Sequence, residues 1–307
     1  MQDIDNVITA DNVTCSYGTF VAVDDISLQV RRGELYALLG TNGAGKTTVV
    51  ETIEGHREPQ SGSVTVLGGA PGDRANIRPR MGMMLQDSGF AADLTVSETL
   101  TLLGELSGRS GDVGSVLEQV DLADRRGVRV GQLSGGERRR LDFAAAIFGD
   151  PELLVLDEPT NALDPEARDR LWAIVDRLRG DGSTILLTTH YLEEAEEHAD
   201  RVGLMHRGTL RAEGSVGQLV RDFPARISFQ ADFIPADLPV AVSNSDGQTV
   251  TIFTMEMQRD LFRLLKWAED SAVTLRDLRA SPAGLAEVFR QVASSEDPLP
   301  SMSVEEA

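Results

Sequence analysis

Two runs of alternating apolar and polar residues open the chain, at positions 7–17 and 20–30, with Gly18 and Thr19 between them. A period of two broken by a turn pair predicts antiparallel strands. An apolar strand over 34–39 leads into a glycine-rich turn and then a helical stretch from Lys46. A short strand at 63–67 follows the turn residues Pro59, Gln60, Ser61 and Gly62. Positions 95–125 carry apolar residues at helical spacing, among them Leu100, Leu103, Val116 and Val120, and another helix is predicted from about Ser134 to Phe148. Runs at 153–156 and 184–188 read as buried strands, with a helix at 166–179 between them. This alternation predicts an α/β fold with a parallel sheet covered on both faces. Beyond about residue 220 the texture changes. Strands are expected at 226–233, 240–243 and 249–254, and helices at 258–270 and 283–293, as a small α+β domain. Residues 294–307, rich in Pro, Ser and Glu, read as a disordered acidic tail.

Charge and composition then narrow the function. The 307 residues carry a formal charge of −20, which lacks the basic footprint of a general nucleic-acid binder and is repelled by an anionic membrane surface. No apolar run approaches the roughly 20 residues of a membrane-spanning helix, and the acidic start predicts no signal peptide. The single Cys15 excludes an intramolecular disulfide and fits a reducing compartment. All basic residues but Lys46 and Lys266 are arginine, so the lysine at position 46 draws attention.

That lysine lies in Gly40-Thr41-Asn42-Gly43-Ala44-Gly45-Lys46-Thr47, followed by Thr48. The segment fits G-x-x-x-x-G-K-[ST] between a predicted strand and a predicted helix. Glycines let successive backbone N–H groups converge on phosphate oxygens, and the helix start adds positive partial charge. Lys46 reaches the β- and γ-phosphates and Thr47 takes a Mg²⁺ position. A second element, Leu153 to Leu156 followed by Asp157 and Glu158, ends an apolar strand in two carboxylates. Asp157 is the candidate Mg²⁺ ligand and Glu158 the candidate general base. A third, Leu133-Ser134-Gly135-Gly136-Glu137, precedes a helix that Ser134 can cap.

With these three in this order, the chain resembles the nucleotide-binding subunits of ATP-binding cassette (ABC) transporters over residues 5 to about 220. Tyr17, Gln86 within Leu85-Gln86-Asp87, Asn161-Ala162-Leu163-Asp164, and His190 within Thr188-Thr189-His190-Tyr191 complete the motif order. The resemblance implies a P-loop ABC cassette, with a RecA-like parallel-sheet core, an antiparallel β subdomain and a helical signature subdomain, at 1–220. An α+β accessory domain follows at 221–293. It implies that Tyr17 stacks on adenine, that Gln86 contacts Mg²⁺ and the γ-phosphate, and that His190 hydrogen-bonds the γ-phosphate as a catalytic residue beside Glu158 and Lys46. Ser134, Gly135, Gly136 and Glu137 are implied to contact the ATP held by a second cassette, and Asp164 to support that dimer interface. Glu137 and Asn161-Ala162 depart from the commonest residues of the family pattern.

ATP and Mg²⁺ are thus the implied cofactors. The implied partners are a separate transmembrane permease and a second cassette, a homodimer being favoured over a heterodimer. The location is the cytoplasmic face of the membrane, reached through the permease and without nucleic acid. Arg138-Arg139-Arg140-Leu141-Asp142 and Leu285-Ala286-Glu287-Val288-Phe289 make the chain similar to drug-resistance exporters. The alternative is a soluble cassette ATPase acting on ribosomes or DNA. It is disfavoured by the single phosphate loop, the lack of a sustained heptad pattern and the acidic charge. Arg138 to Arg140, and Glu193, Glu194, Glu196 and Glu197, read as solvated helix faces. Met81, Met83 and Met84 read as core, and His56 and His198 lack a partner set at metal-ligand spacing.

Overall fold

The computed structural model describes residues 6–85, 89–230, 238–245 and 249–294. Gln86, the end of the strand expected at 226–233 and the expected tail lie outside the described residues. The chain divides at Ser215 into two compact units.

In the first unit, β1 (Asn6–Tyr17) and β2 (Phe20–Arg31) pair antiparallel from Tyr17↔Phe20 back to Asn6↔Arg31. Ile26, Leu28 and Val30 turn inward and the residues between them outward, as the alternation requires. Every residue of β3 (Leu35–Gly40) is buried, and α1 (Lys46–Ile53) follows the glycine loop. β4 (Ser61–Val66) adds to the other side of β1, giving a three-stranded sheet ordered β2-β1-β4.

After α2 (Arg74–Ile77) comes β5 (Met81–Met84), whose pattern is too short to announce a strand. The helical stretch expected over 95–125 is two helices. Gly108, at φ +70°, ends α3 (Val96–Ser107), and the Asp112 carboxylate caps α4 (Val113–Gln119). α5 (Gly135–Ile147) is tied at both ends. Ser134 and Glu137 form a reciprocal capping box at its start, and the Arg109 guanidinium donates to the carbonyls of Ala145, Ala146 and Phe148 at its finish. A Cβ on Gly82 would lie 2.0 Å from the Ala146 carbonyl oxygen, so only glycine lets β5 approach this helix so closely.

The unit closes with β6 (Leu153–Asp157), α6 (Pro165–Gly180), β7 (Thr184–Thr189), α7 (Leu192–His198), β8 (Arg201–His206) and β9 (Thr209–Gly214). Its large sheet runs β5-β6-β7-β3-β8-β9, parallel except for β9. Among the described residues no helix is long and apolar enough to cross a membrane.

The second unit comprises α8 (Val216–Val220), β10 (Ala225–Gln230), β11 (Asn244–Ser245), β12 (Thr249–Thr254), α9 (Met257–Asp270), β13 (Arg276–Ser281) and α10 (Leu285–Ser294). The antiparallel sheet is ordered β11-β12-β10-β13. Leu264 of α9 packs with Ile227, Phe229, Val250 and Ile252 to form its core. The strand expected at 240–243 is not formed; pairing begins at Asn244, opposite Thr251. β13 was not expected, because an exposed edge strand reading Arg276-Asp277-Leu278-Arg279 has no apolar alternation to show.

One buried acid stands out at the end of α1. Glu54 is 5% exposed, and burial, reinforced by Asp157 and Glu51, pushes its carboxyl up to about 8. The folded protein therefore keeps this proton across the interval from 4.5 to about 8, where the unfolded chain has released it. Stability falls as pH rises through that interval and levels off above it. Glu54→Gln should flatten this slope. By thermal denaturation it should melt above wild type at pH 8.5, by more than the roughly 2–4 °C that 1 kcal/mol is worth in a chain of this size, and show little difference at pH 5.

Candidate active site

Strands β3, β7 and β6 lie side by side and end level with one another. Leu39 pairs with Thr189, and Asp157 with Thr188. The chain leaves each strand at the carboxyl edge of a parallel sheet, where open α/β folds place ligands. Gly40 to Thr47, Glu158 and His190 therefore issue from one rim. In the loop, Gly43 and Gly45 hold φ of +79° and +102°. A Cβ on Gly45 would stand 2.4 Å from the Ala22 carbonyl oxygen, so both conformation and space require glycine there. Lys46 is buried, and its ammonium donates to the Gly40 carbonyl at 2.7 Å and to that of Thr41 at 3.5 Å. Burial holds the Lys46 pKa below the usual lysine range, while Glu158 and Asp157 pull it back up.

Glu158 occupies the left-handed region, at φ +49°, a conformation rare for residues with a side chain. Its N–H donates to the Thr188 carbonyl at 2.9 Å. One carboxylate oxygen lies 2.6 Å from His190 Nδ1. Asp157, also buried, accepts from the Thr188 hydroxyl. The turn after β7 is braced in the same way. The Thr189 hydroxyl donates to Glu194 at 3.1 Å and accepts from the Tyr191 N–H at 3.0 Å.

These groups border a cleft of about 890 Å³, lined by Tyr17, Phe20, loop residues 42–48, Arg139, Glu158 and His190 among others. The Tyr17 hydroxyl donates to Glu51 at 3.1 Å, and the Arg57 guanidinium lies 3.9 Å from the ring centroid. The ring is thus held at its tip and over one face.

Of the residues singled out from the sequence, Tyr17, Asn42, Gly43, Ala44, Gly45, Lys46, Thr47, Thr48, Glu158 and His190 meet in this cleft. Gly40 and Thr41 supply the carbonyls that hold Lys46, and Asp157 ends the adjacent strand. Ser134, Gly135, Gly136, Glu137 and Asp164 are not part of its lining. Ser134 and Glu137 cap α5, and Asp164 caps α6 by accepting from the Ala167 N–H at 2.8 Å. The Ser134 N–H and the Arg125 guanidinium bring the Glu137 carboxylate down to about 2.

Two readings need correction. Arg139 is not on a solvated face; it is 7% exposed and lines the cleft. Glu194 is buried beneath the His190 turn, not solvated. Helical spacing carried the signal for Arg139, since Asp142, Phe143 and Ala146 share its buried face. Phe20 and Ala22 also line the cleft without having been singled out, and Asn161 and Ala162, noted in the sequence as departures from the family pattern, line it too.

Among the described residues no group of three or more His, Cys, Asp or Glu could hold a metal ion. The Thr47 hydroxyl and Asp157 carboxylate are hard oxygen donors. They suit Mg²⁺, which takes few protein ligands and fills its shell with water and phosphate oxygens.

Comparison with known proteins agrees with this geometry. The family described as "ABC transporter" matches residues 23–161, and "ABC transporter domain-containing protein-like, C-terminal domain" matches residues 225–284. The Nod factor export ATP-binding protein I of Paraburkholderia xenovorans (strain LB400) is 34% identical over 305 residues, 94% of this chain and 97% of that one. The daunorubicin resistance ATP-binding protein DrrA3 of Streptomyces coeruleorubidus is 40% identical over 221 residues, 70% of each chain. A solved ATP-binding subunit of an ABC transporter superposes with a TM-score of 0.67 at 27% identity, covering 70% of this chain and 92% of that one. Similarity along nearly the whole length, joined to this fold, leads to one conclusion: the chain belongs to the ABC transporter family, as an ATP-binding, ATP-hydrolysing subunit of the exporter type.

Proposed function

We propose that this chain is the motor of a drug-type exporter, working as a homodimer on the cytoplasmic side of a separate permease. ABC ATP-binding subunits work with a transmembrane permease and dimerise. The names of the relatives, Nod factor export and daunorubicin resistance, favour export of a drug-type cargo. Residues 1–220 form the cassette in this reading, and 221–293 an accessory domain.

The observation that carries the site assignment is the Glu158–His190 contact of 2.6 Å at the rim that also bears the phosphate loop. Tyr17 offers a ring face to adenine. Backbone N–H groups of the loop and the Lys46 ammonium receive the β- and γ-phosphates. Glu158 accepts a proton from the attacking water. His190, with Nδ1 engaged by Glu158, keeps Nε2 for a γ-phosphate oxygen. Thr47 and Asp157, with Gln86, would hold Mg²⁺, which neutralises charge developing on the phosphates. Thr188 orients Asp157 for that task. Ser134, Gly135, Gly136 and Glu137 close over the nucleotide of the partner cassette, and Asp164 supports that interface.

Glu158→Gln should bind ATP normally and lose about 100-fold or more of turnover; equilibrium nucleotide binding and phosphate release by the purified full-length chain check this. Tyr17→Ala should weaken ATP binding about 5–150-fold, as the loss of ~1–3 kcal/mol of stacking implies, and change kcat far less. A fluorescence titration with ATP, set beside the kinetics, separates the two effects.

A further inference from the structure

We infer that Arg139 is a positioning residue for hydrolysis, one that holds the 157–159 turn so that the Glu158 carboxylate stays on His190. The inference rests on the assignment of Glu158 as the general base.

The guanidinium is buried and donates to four backbone carbonyl oxygens. Nη1 donates to Leu85 at 2.7 Å, Nη2 to Asp157 at 2.9 Å and also to Glu158, and Nε to Pro159 at 3.3 Å. Three of these carbonyls are consecutive. They converge on one cation because Glu158 adopts φ +49° and folds the chain sharply past the end of β6. The same residue therefore sits in an unfavourable backbone region and carries the carboxylate beside His190. Strain of this kind persists only where its surroundings over-determine it. The planar fork of Arg139 reaches all three carbonyls, together with the carbonyl just before Gln86.

α5 is held by the Ser134–Glu137 box at one end and by Arg109 at the other. The aim of the carboxylate is thus referred to the helix that begins with Gly135 and Gly136. Lysine cannot substitute, because it brings one nitrogen where arginine brings three in a fixed plane.

The test uses the purified full-length chain, with ATP turnover, ATP binding and thermal denaturation measured together. Arg139→Gln should lower kcat about 10–100-fold, the scale of an ångström-sized misplacement, and leave ATP affinity within about twofold. Arg139→Lys should regain thermal stability without regaining kcat, and it carries the test alone if the Gln variant does not fold. Leu141→Ala, a buried change on the same helix outside the cleft, serves as a control of comparable destabilisation and should keep its kcat. Added to Glu158→Gln, Arg139→Gln should cost no further turnover.

The inference is overturned if Arg139→Gln loses no more kcat than Leu141→Ala, if affinity falls in step with kcat, or if the two losses multiply in the double variant. Full turnover in Glu158→Gln would remove the base assignment itself, and the inference with it. Loss of turnover in Glu158→Gln with full turnover in Arg139→Gln would remove only the role of Arg139.

Discussion

A lysine ammonium, two carboxylates and an imidazole must be brought within a few ångströms of one another without collapsing into a plain ion cluster. The parallel register of β3, β7 and β6 meets that constraint. Because the three strands end level, the lysine, the pair of carboxylates and the imidazole leave the sheet at the same rim, after β3, β6 and β7 respectively. The groups are then satisfied locally. Lys46 rests on carbonyls of its own loop, Asp157 on Thr188 and Glu158 on His190. Ammonium and carboxylates are thereby kept apart and available to phosphate and water, as positioning and electrostatic catalysis of phosphoryl transfer require.

A second support comes from outside the sheet. β5 lies against α5 through Gly82, and α5 sends Arg139 under the acidic turn. The helix that begins at Gly135 and the turn that carries Glu158 are therefore joined by one side chain. Glu137 illustrates the same economy. Its carboxylate completes a capping box and also pairs with Arg125.

Much of the site was legible in the sequence because its parts are contiguous. The phosphate loop, the Asp157–Glu158 strand end and the segment before His190 each announce themselves within a few residues. What could not be read locally depended on distant partners. Arg139 looks like one of three surface arginines until helical spacing places it beside Asp142 and Phe143. Glu194 looks solvated among four glutamates until α7 folds it onto Thr189. The fold follows the same rule. Strongly patterned strands such as β2 and β6 were evident. β5, four residues long, and β13, an exposed edge, carry little periodicity, and β11 exists only by pairing with β12.

The most direct measurement is a structure of the full-length Glu158→Gln chain with ATP and Mg²⁺. The account predicts the β- and γ-phosphates on loop 40–47, adenine against Tyr17, the Lys46 ammonium moved from the Gly40 carbonyl onto a phosphate, and His190 Nε2 facing the γ-phosphate. Nucleotide bound away from this rim, or a Lys46 that keeps its carbonyl partners with ATP in place, would contradict it.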